Sequence, residues 1–358
     1  MEFWLWLYFL SVVIFVWQWI FPKMNFSKYL MIFTGLLSGF RYELGDDYFR
    51  YEKLFNITTL NYDNLKLEIL FQFLCNFFRD IGFNAQSIFL FYAVITNIFI
   101  YLGVKGQFDK NLYRCMSCVL FIIVGFYFRS MDIIRQMAAV SIVFYNLNFL
   151  IKKEYFKYYL GVILGTFFHY SAIIAFIFPV IMKIKSKQIM YTAVLLAVVF
   201  HLMNIPLLLI PFLSDVSYYS KWVRESAILE NGTGIGMITE FLIYSFIIYK
   251  SNYKTCQEVV MVNSLCGYLI IKNFFYIIPP LLRIGIYFHI LIVLMIPLLY
   301  DQYKSIANKC IIFILIAAYF VFISMKNIYT LGYGEKINSF MADNCDNIEY
   351  NYRLDILN

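Results

Sequence analysis

Apolar runs follow one another from residue 3 to residue 325, with only brief polar breaks between most of them. Few folds accept that pattern. Inside hydrocarbon every backbone N–H and C=O must find a partner within the protein, which leaves helices or closed barrels. The runs are continuous rather than alternating, and many approach the ~20 residues that a crossing helix needs. They lie at 3–21, 29–41, 86–104, 113–128, 134–151, 158–169, 170–182, 190–212, 235–249, 259–280, 284–300 and 310–325. The expected fold is therefore all-α: a polytopic integral membrane bundle of about 11–12 transmembrane helices, some short or broken. Composition agrees, with 62% hydrophobic and 14% charged residues; a soluble domain is nearer half and a quarter. The first run has no small-residue cleavage site after it and reads as a retained helix. The stretch 158–182 reads either as one long helix or as two short crossings broken near His169.

The polar breaks sort by charge. Segments 22–28, 105–114, 152–157, 183–187, 250–258 and 301–309 hold 15 Lys/Arg and four acids. The remaining segments hold 13 Lys/Arg and 18 acids, with Lys272 inside a span. By the positive-inside rule the first group faces the cytoplasm. "KIKSK" at 183–187 is its clearest marker, and it favours the two-crossing reading of 158–182. The net charge of +7 then reflects topology, and no nucleic-acid partner is expected. The chain is expected to form a single membrane domain over 1–358, with extracytoplasmic loops at 42–85 and 213–234 and an extracytoplasmic tail at 326–358. Those long segments are where a site is expected.

Seven cysteines include "CMSC" at 115–118, which has no second pair or nearby histidine. They read as packing residues. No acidic cluster has convincing metal spacing, so neither metal nor cofactor is expected.

Charges at membrane depth are costly unless they face a cavity or a partner. Arg41 is the first such residue. Thirteen residues from Lys28 reach roughly 20 Å, short of a ~30 Å core. Glu43, Asp46 and Asp47 follow it in "RYELGDDYFRYEKLF", with Tyr51 a little further on. Snorkelling to the headgroups is the plain alternative. Arg129, Asp132 and Arg135 occupy a turn between two spans, and Arg135 with Gln136 opens the next helix. A helix start already favours anions. The plain alternative there is a local Arg129–Asp132 ion pair. His169 sits mid-run in "FFHYSAI", and "PPLLRIGIYFH" carries Arg283 and Tyr287 at the start of a span. A lone histidine in apolar surroundings is usually a hydrogen-bonded core residue, and His201 and His289 are read that way. "NGTGIG" at 231–236 lacks the lysine and strand of a phosphate loop and reads as a turn.

Taken in order, "RYELGDDYFRYEKLF", "IRQMAAVSIVFY", "FFHYSAI", the Gly-rich turn and "LRIGIYF" resemble the Wzy-type polysaccharide polymerases, in particular the EpsG-like branch. Asp46 stands where that family often has a small or hydroxyl residue, which points to Asp47 as the counterpart aspartate. The tail "NIEYNYRLDILN" shows no clear Pro-Tyr element.

The resemblance implies a membrane glycosyltransferase at the outer face of the bacterial inner membrane. It would join undecaprenyl-pyrophosphate-linked oligosaccharide repeats into O-antigen or capsule-like surface polysaccharide. Membrane lipid and a chain-length regulator protein are the further partners expected. Arg41, Arg135 and Arg283 would bind pyrophosphate, for which arginine offers bidentate contacts. Tyr51, Arg129, Gln136 and Tyr287 would touch substrate. The acceptor hydroxyl needs a base, and Asp47, Glu43 or His169 could serve. A flippase for the same lipid-linked unit should show two comparable halves, which are not detectable here. A membrane O-acyltransferase should keep its histidine toward an acyl donor, often from the cytoplasm.

Overall fold

The computed structural model describes residues 2–45, 47–58, 67–209, 235–276 and 278–330. Asp46, the loop 213–234 and the tail from residue 331 lie outside the described residues. Among the described residues every regular element is helical. The elements are α1 (Glu2–Ile20), α2 (Phe26–Gly39), α3 (Tyr48–Ile57), α4 (Ile69–Asp80), α5 (Gln86–Gln107), α6 (Asn111–Ile123), α7 (Phe126–Asp132), α8 (Ile134–Ile151) and α9 (Tyr155–Phe168). A 3-10 segment (Tyr170–Ile177) leads into α10 (Phe178–Ile181) and α11 (Lys187–Leu202). Then come α12 (Ile235–Lys250), α13 (Cys256–Phe274), α14 (Pro279–Ile284), α15 (Ile286–His289), α16 (Ile292–Gln302) and α17 (Ile306–Thr330).

Among the described residues four stretches are long and apolar enough to cross a membrane: Gln86–Gln107, Ile134–Ile151, Leu281–Gln302 and Ala307–Met325. A fifth is the pair α6 and α7, bent by 54°. Gly125 makes that bend, with φ +92°, a left-handed value at which a side chain would be strained. The other expected crossings fall short of that combination of length and apolarity. α2 has 14 residues, about 21 Å of helix, and Arg41 follows just beyond its end.

The stretch 158–182 is two arms. Tyr158 donates to the Ala175 carbonyl at 2.6 Å, and the Tyr159 and Phe176 rings stack. The chain therefore doubles back, with His169 at the tip. The hairpin as a whole therefore begins and ends on the side away from His169. The expected loop 42–85 contains two helices, α3 and α4. α4 buries Phe71, Leu74 and Cys75 while exposing Ile69, Phe73 and Phe77. That two-faced pattern suits a helix lying along an interface.

Packing around α5 and α8 fixes the scaffold. In lipid, helices associate by close van der Waals fit and small residues, since burial from water no longer drives them together. Gly161 of α9 shows this: a Cβ there would overlap the Asn146 carboxamide of α8. Residues 137–144 of α8 are fully enclosed. Cys115 and Cys118 are buried among apolar neighbours, in keeping with a packing role.

The polar segments rich in Lys/Arg meet at one end. Asn111 donates to the Pro22 and Lys23 carbonyls, Tyr113 bonds Asp301, and Gln107 bonds both Asn148 and Gln257. Lys187 donates to the Ser251 carbonyl at 2.8 Å. Helix caps cluster there too: Asn25 on α2, Ser186 on α11 and the Thr255–Glu258 capping box on α13. The opposite end gathers Arg41, Glu68, Arg135, His169 and Arg283.

Candidate active site

Three elements bring the central group together. Glu68 precedes α4 and is buried; its side chain is 4% exposed. Arg135 is the second residue of α8, 12% exposed, and forms an ion pair with Glu68. The Arg135 guanidinium lies over the rings of Tyr51 and Phe71, at 5.7 and 5.0 Å. Burial pushes the Tyr51 phenol above its ordinary range, and the adjacent Arg135 charge pulls it the other way. A buried carboxylate held by one guanidinium against two aromatic faces has little freedom to rotate. The start of α8 adds its positive end.

His169, at the hairpin tip, completes the group. Its Nε2 lies 3.8 Å from Glu68 Oε1. Its Nδ1 accepts the Ser171 backbone N–H at 3.2 Å, so the proton of the neutral ring belongs on Nε2, toward Glu68. Ser171 Oγ is 2.7 Å from Nδ1 and 3.0 Å from the Tyr287 hydroxyl. Gln136 donates to Ser171 Oγ at 3.3 Å and to the Arg283 carbonyl at 3.0 Å. A directed chain results: Tyr287 O–H to Ser171, Ser171 O–H to Nδ1, and Nε2–H toward Glu68. Arg283 is exposed at the rim, and its charge reaches His169. Its side chain has no ion-pair partner among the described residues.

Arg135, Gln136, His169, Tyr287 and Tyr51 thus meet as one group, with Arg283 at its edge. Arg41 lies elsewhere. It is buried, and donates from Nε to the Leu44 carbonyl, from Nη1 to Ser38 and from Nη2 to Met131 at 3.1, 2.7 and 2.8 Å. Its guanidinium also lies 4.5 Å from the Phe89 ring centroid. Those bonds pin the turn after α2 to the end of α7. Asp47 is half-buried and lies 3.8 Å from Arg50, one helical turn on. Glu43 takes a left-handed backbone, φ +50°, next to Tyr42. Arg129 is exposed on α7 on the far side of the α14–α15 break. Asp132 approaches Gly45, where a Cβ would come within 2.9 Å of its Oδ1.

Reasoning from the sequence passed over Glu68. Its one signal is a single acid opening the two-faced segment "LEILFQFLCNFF". Among the described residues no three His, Cys, Asp or Glu side chains come together as metal ligands.

The sequence model of the EpsG family matches residues 24–338. The chain belongs to the EpsG family. That span is nearly the whole chain and includes every residue of the group described above. No curated protein and no solved structure matches it significantly. The family marks the chain as a multi-pass membrane protein of the exopolysaccharide or O-antigen polymerase type, a glycosyltransferase-like enzyme in general. In this EpsG-family protein, the tip histidine and the rim arginine, both foreseen from sequence, gather with Arg135 around a buried carboxylate, Glu68, that was not.

Proposed function

We propose that this protein extends a surface polysaccharide by transferring a growing glycan from a polyprenyl pyrophosphate to a hydroxyl of the next lipid-linked repeat, with Glu68 as the base. The observation that carries this reading is the 3.8 Å gap between Glu68 Oε1 and His169 Nε2. It is too long for a direct hydrogen bond, but a hydroxyl oxygen can bridge it with two bonds of about 2.8 Å. His169 donates to that oxygen and Glu68 accepts its proton. The new bond joins the hydroxyl oxygen to the anomeric carbon. The bond from that carbon to pyrophosphate breaks, and the pyrophosphate leaves with the electron pair.

Each neighbour has a part. Arg135 aims Glu68, and its charge is already engaged by that ion pair. Arg283, exposed and without an acidic partner among the described residues, is the better contact for departing pyrophosphate. Ser171, Tyr287 and Gln136 fix the histidine ring. General-base help of this kind is typically worth about 10²- to 10⁴-fold. The Lys/Arg-rich end faces the cytoplasm by the charge rule, which puts the group at the outer face. The test is reconstitution: purified protein in lipid vesicles with a lipid-linked repeat should yield a ladder of lengthening glycans and release polyprenyl pyrophosphate. Transport of the repeat across the vesicle with no lengthening would reject the proposal.

A further inference from the structure

The histidine ring has two flanks. On the Nδ1 flank, Gln136 donates both to Ser171 Oγ and to the Arg283 carbonyl, which ties the exposed Arg283 to this side. On the Nε2 flank, facing Glu68, stands Tyr170. Tyr170 follows His169 and opens the 3-10 segment. Its hydroxyl donates to the Leu67 carbonyl at 3.4 Å, and Leu67 directly precedes Glu68. One phenol ring thus reaches from the residue beside the histidine to the residue beside the carboxylate. Tyr170 nonetheless stays 48% exposed. Access to the gap comes from the same quarter. The Glu68 side chain is 4% exposed and that of His169 28%, so an acceptor enters over the histidine.

A tyrosine at a membrane surface often belongs to the aromatic belt, with its hydroxyl turned out to headgroups and water. Packing explains the exposure of its neighbours. Three residues per turn bring Ala172, Ala175 and Phe178 inward and leave Ile173 and Phe176 outward. Tyr170 heads that outward row but turns its hydroxyl back to protein. The bond is longer than the ~2.8 Å usual between oxygens. It steers the ring and contributes little energy. Ile69, which follows Glu68, is exposed too. The rim on this flank is therefore apolar and aromatic, whereas the Arg283 flank is cationic.

We propose that the Tyr170 ring is the platform for the acceptor sugar that carries the reacting hydroxyl, and that it determines which sugar face is accepted. The inference rests on the transfer reaction proposed above. An acceptor hydroxyl lodged between Glu68 and His169 leaves the rest of its pyranose outside the gap, over the exposed flank. A pyranose has C–H faces and a hydroxyl-bearing edge. A C–H face packs on an aromatic ring as another apolar surface does, and the edge then delivers the hydroxyl to the carboxylate. An axial hydroxyl on the packed face would hold the sugar off the ring. Donor and acceptor are kept on separate flanks, the anion with Arg283 and the sugar face with Tyr170.

The test uses purified full-length protein in lipid vesicles, with the lipid-linked repeat as donor. The acceptor is the same oligosaccharide on an alkyl chain without pyrophosphate, which can accept but cannot donate. Tyr170→Ala should raise KM for this acceptor about tenfold, the loss of one ring contact, with kcat within about threefold of the parent. Tyr170→Leu stays apolar without a ring and should do the same, which guards against a poorly folded alanine variant. Tyr170→Phe keeps the ring and loses only the tether, so KM should rise by less than about threefold. Binding of a sugar-free polyprenyl pyrophosphate, read by titration, should be the same in all three variants. Loss of that binding would place Tyr170 in the fold or the anion site and overturn the platform. KM unchanged in Tyr170→Ala and Tyr170→Leu, or raised as much by Tyr170→Phe, overturns it while the Glu68 reaction stands. So does a parent protein that lengthens the lipid-linked repeat but leaves the alkyl-linked acceptor untouched. A parent that lengthens nothing removes the transfer reaction itself, and this inference with it.

Discussion

Arg41 and Arg135 are both buried arginines at the same end of the bundle, and from sequence they were equivalent candidates for the same anion. Their surroundings differ in kind. Arg41 is ringed by backbone carbonyls of Ser38, Leu44 and Met131 and lies over Phe89. Arg135 faces a carboxylate, with His169 just beyond it. The first arrangement joins two pieces of chain. The second holds a carboxylate beside a histidine. Burial of a charge therefore marks a commitment, and the partner tells whether that commitment is to the fold or to chemistry.

Substitutions sharpen this contrast. The largest effect should come from Arg135→Ala, which leaves Glu68 buried without its cation. Removing one partner of a buried pair costs about 3–5 kcal/mol. Folded protein in detergent should show a clear drop in unfolding temperature, and polymer should vanish. Neutralising both partners with Glu68→Gln and Arg135→Gln should restore most of the stability but no polymer.

Arg41→Ala comes next. Each carbonyl left without its donor costs about 1–3 kcal/mol, so folded yield should fall sharply. Activity per folded molecule should stay within about threefold, because a clasp of this kind affects how much protein folds and not the reaction. Loss of turnover at normal yield would erase the distinction between the two arginines.

Gly45→Ala tests the same turn from another side. Gly45 has φ +107°, and an added Cβ would sit 2.9 Å from Asp132 Oδ1. The strain is roughly 1–3 kcal/mol, so a reduced unfolding temperature with retained specific activity is expected. The smallest effect should be that of Asp47→Asn. Its contact is with Arg50 at 3.8 Å on a largely exposed helix face, a pairing worth about 0–1 kcal/mol. Polymer length and amount should match the parent. Asp47→Asn that stopped extension would move the base from Glu68 to the α3 turn.

Much of the scaffold was legible because apolar runs and lysine placement are dictated by the bilayer. α8 matches the expected span 134–151 residue for residue, and α5 extends the expected 86–104 only at its polar end. The segments sorted together by charge do meet at one end. The turn at His169 was foreseen as one of two options; the antiparallel contacts of Tyr158 and Gly165 with residues 172–175 decide it. What sequence hid was pairing. Glu68 lies 67 positions from Arg135 and carries no local pattern. Its partner is set by how α4 packs against α5 and α9, a tertiary outcome. The bonds of Arg41 were hidden for the same reason, since carbonyl partners leave no trace in side-chain identity. The helices within 42–85 were obscured because short segments with mixed polarity carry weak periodicity.

The most direct measurement is of Glu68→Gln. The amide keeps the size of the side chain and can still bond Arg135 and the acceptor, but it cannot take a proton as a carboxylate does. Purified Glu68→Gln in lipid vesicles should bind the lipid-linked repeat as the parent does, while extension falls about 10²- to 10⁴-fold. Extension within tenfold of the parent, at equal folded protein, would contradict Glu68 as the base.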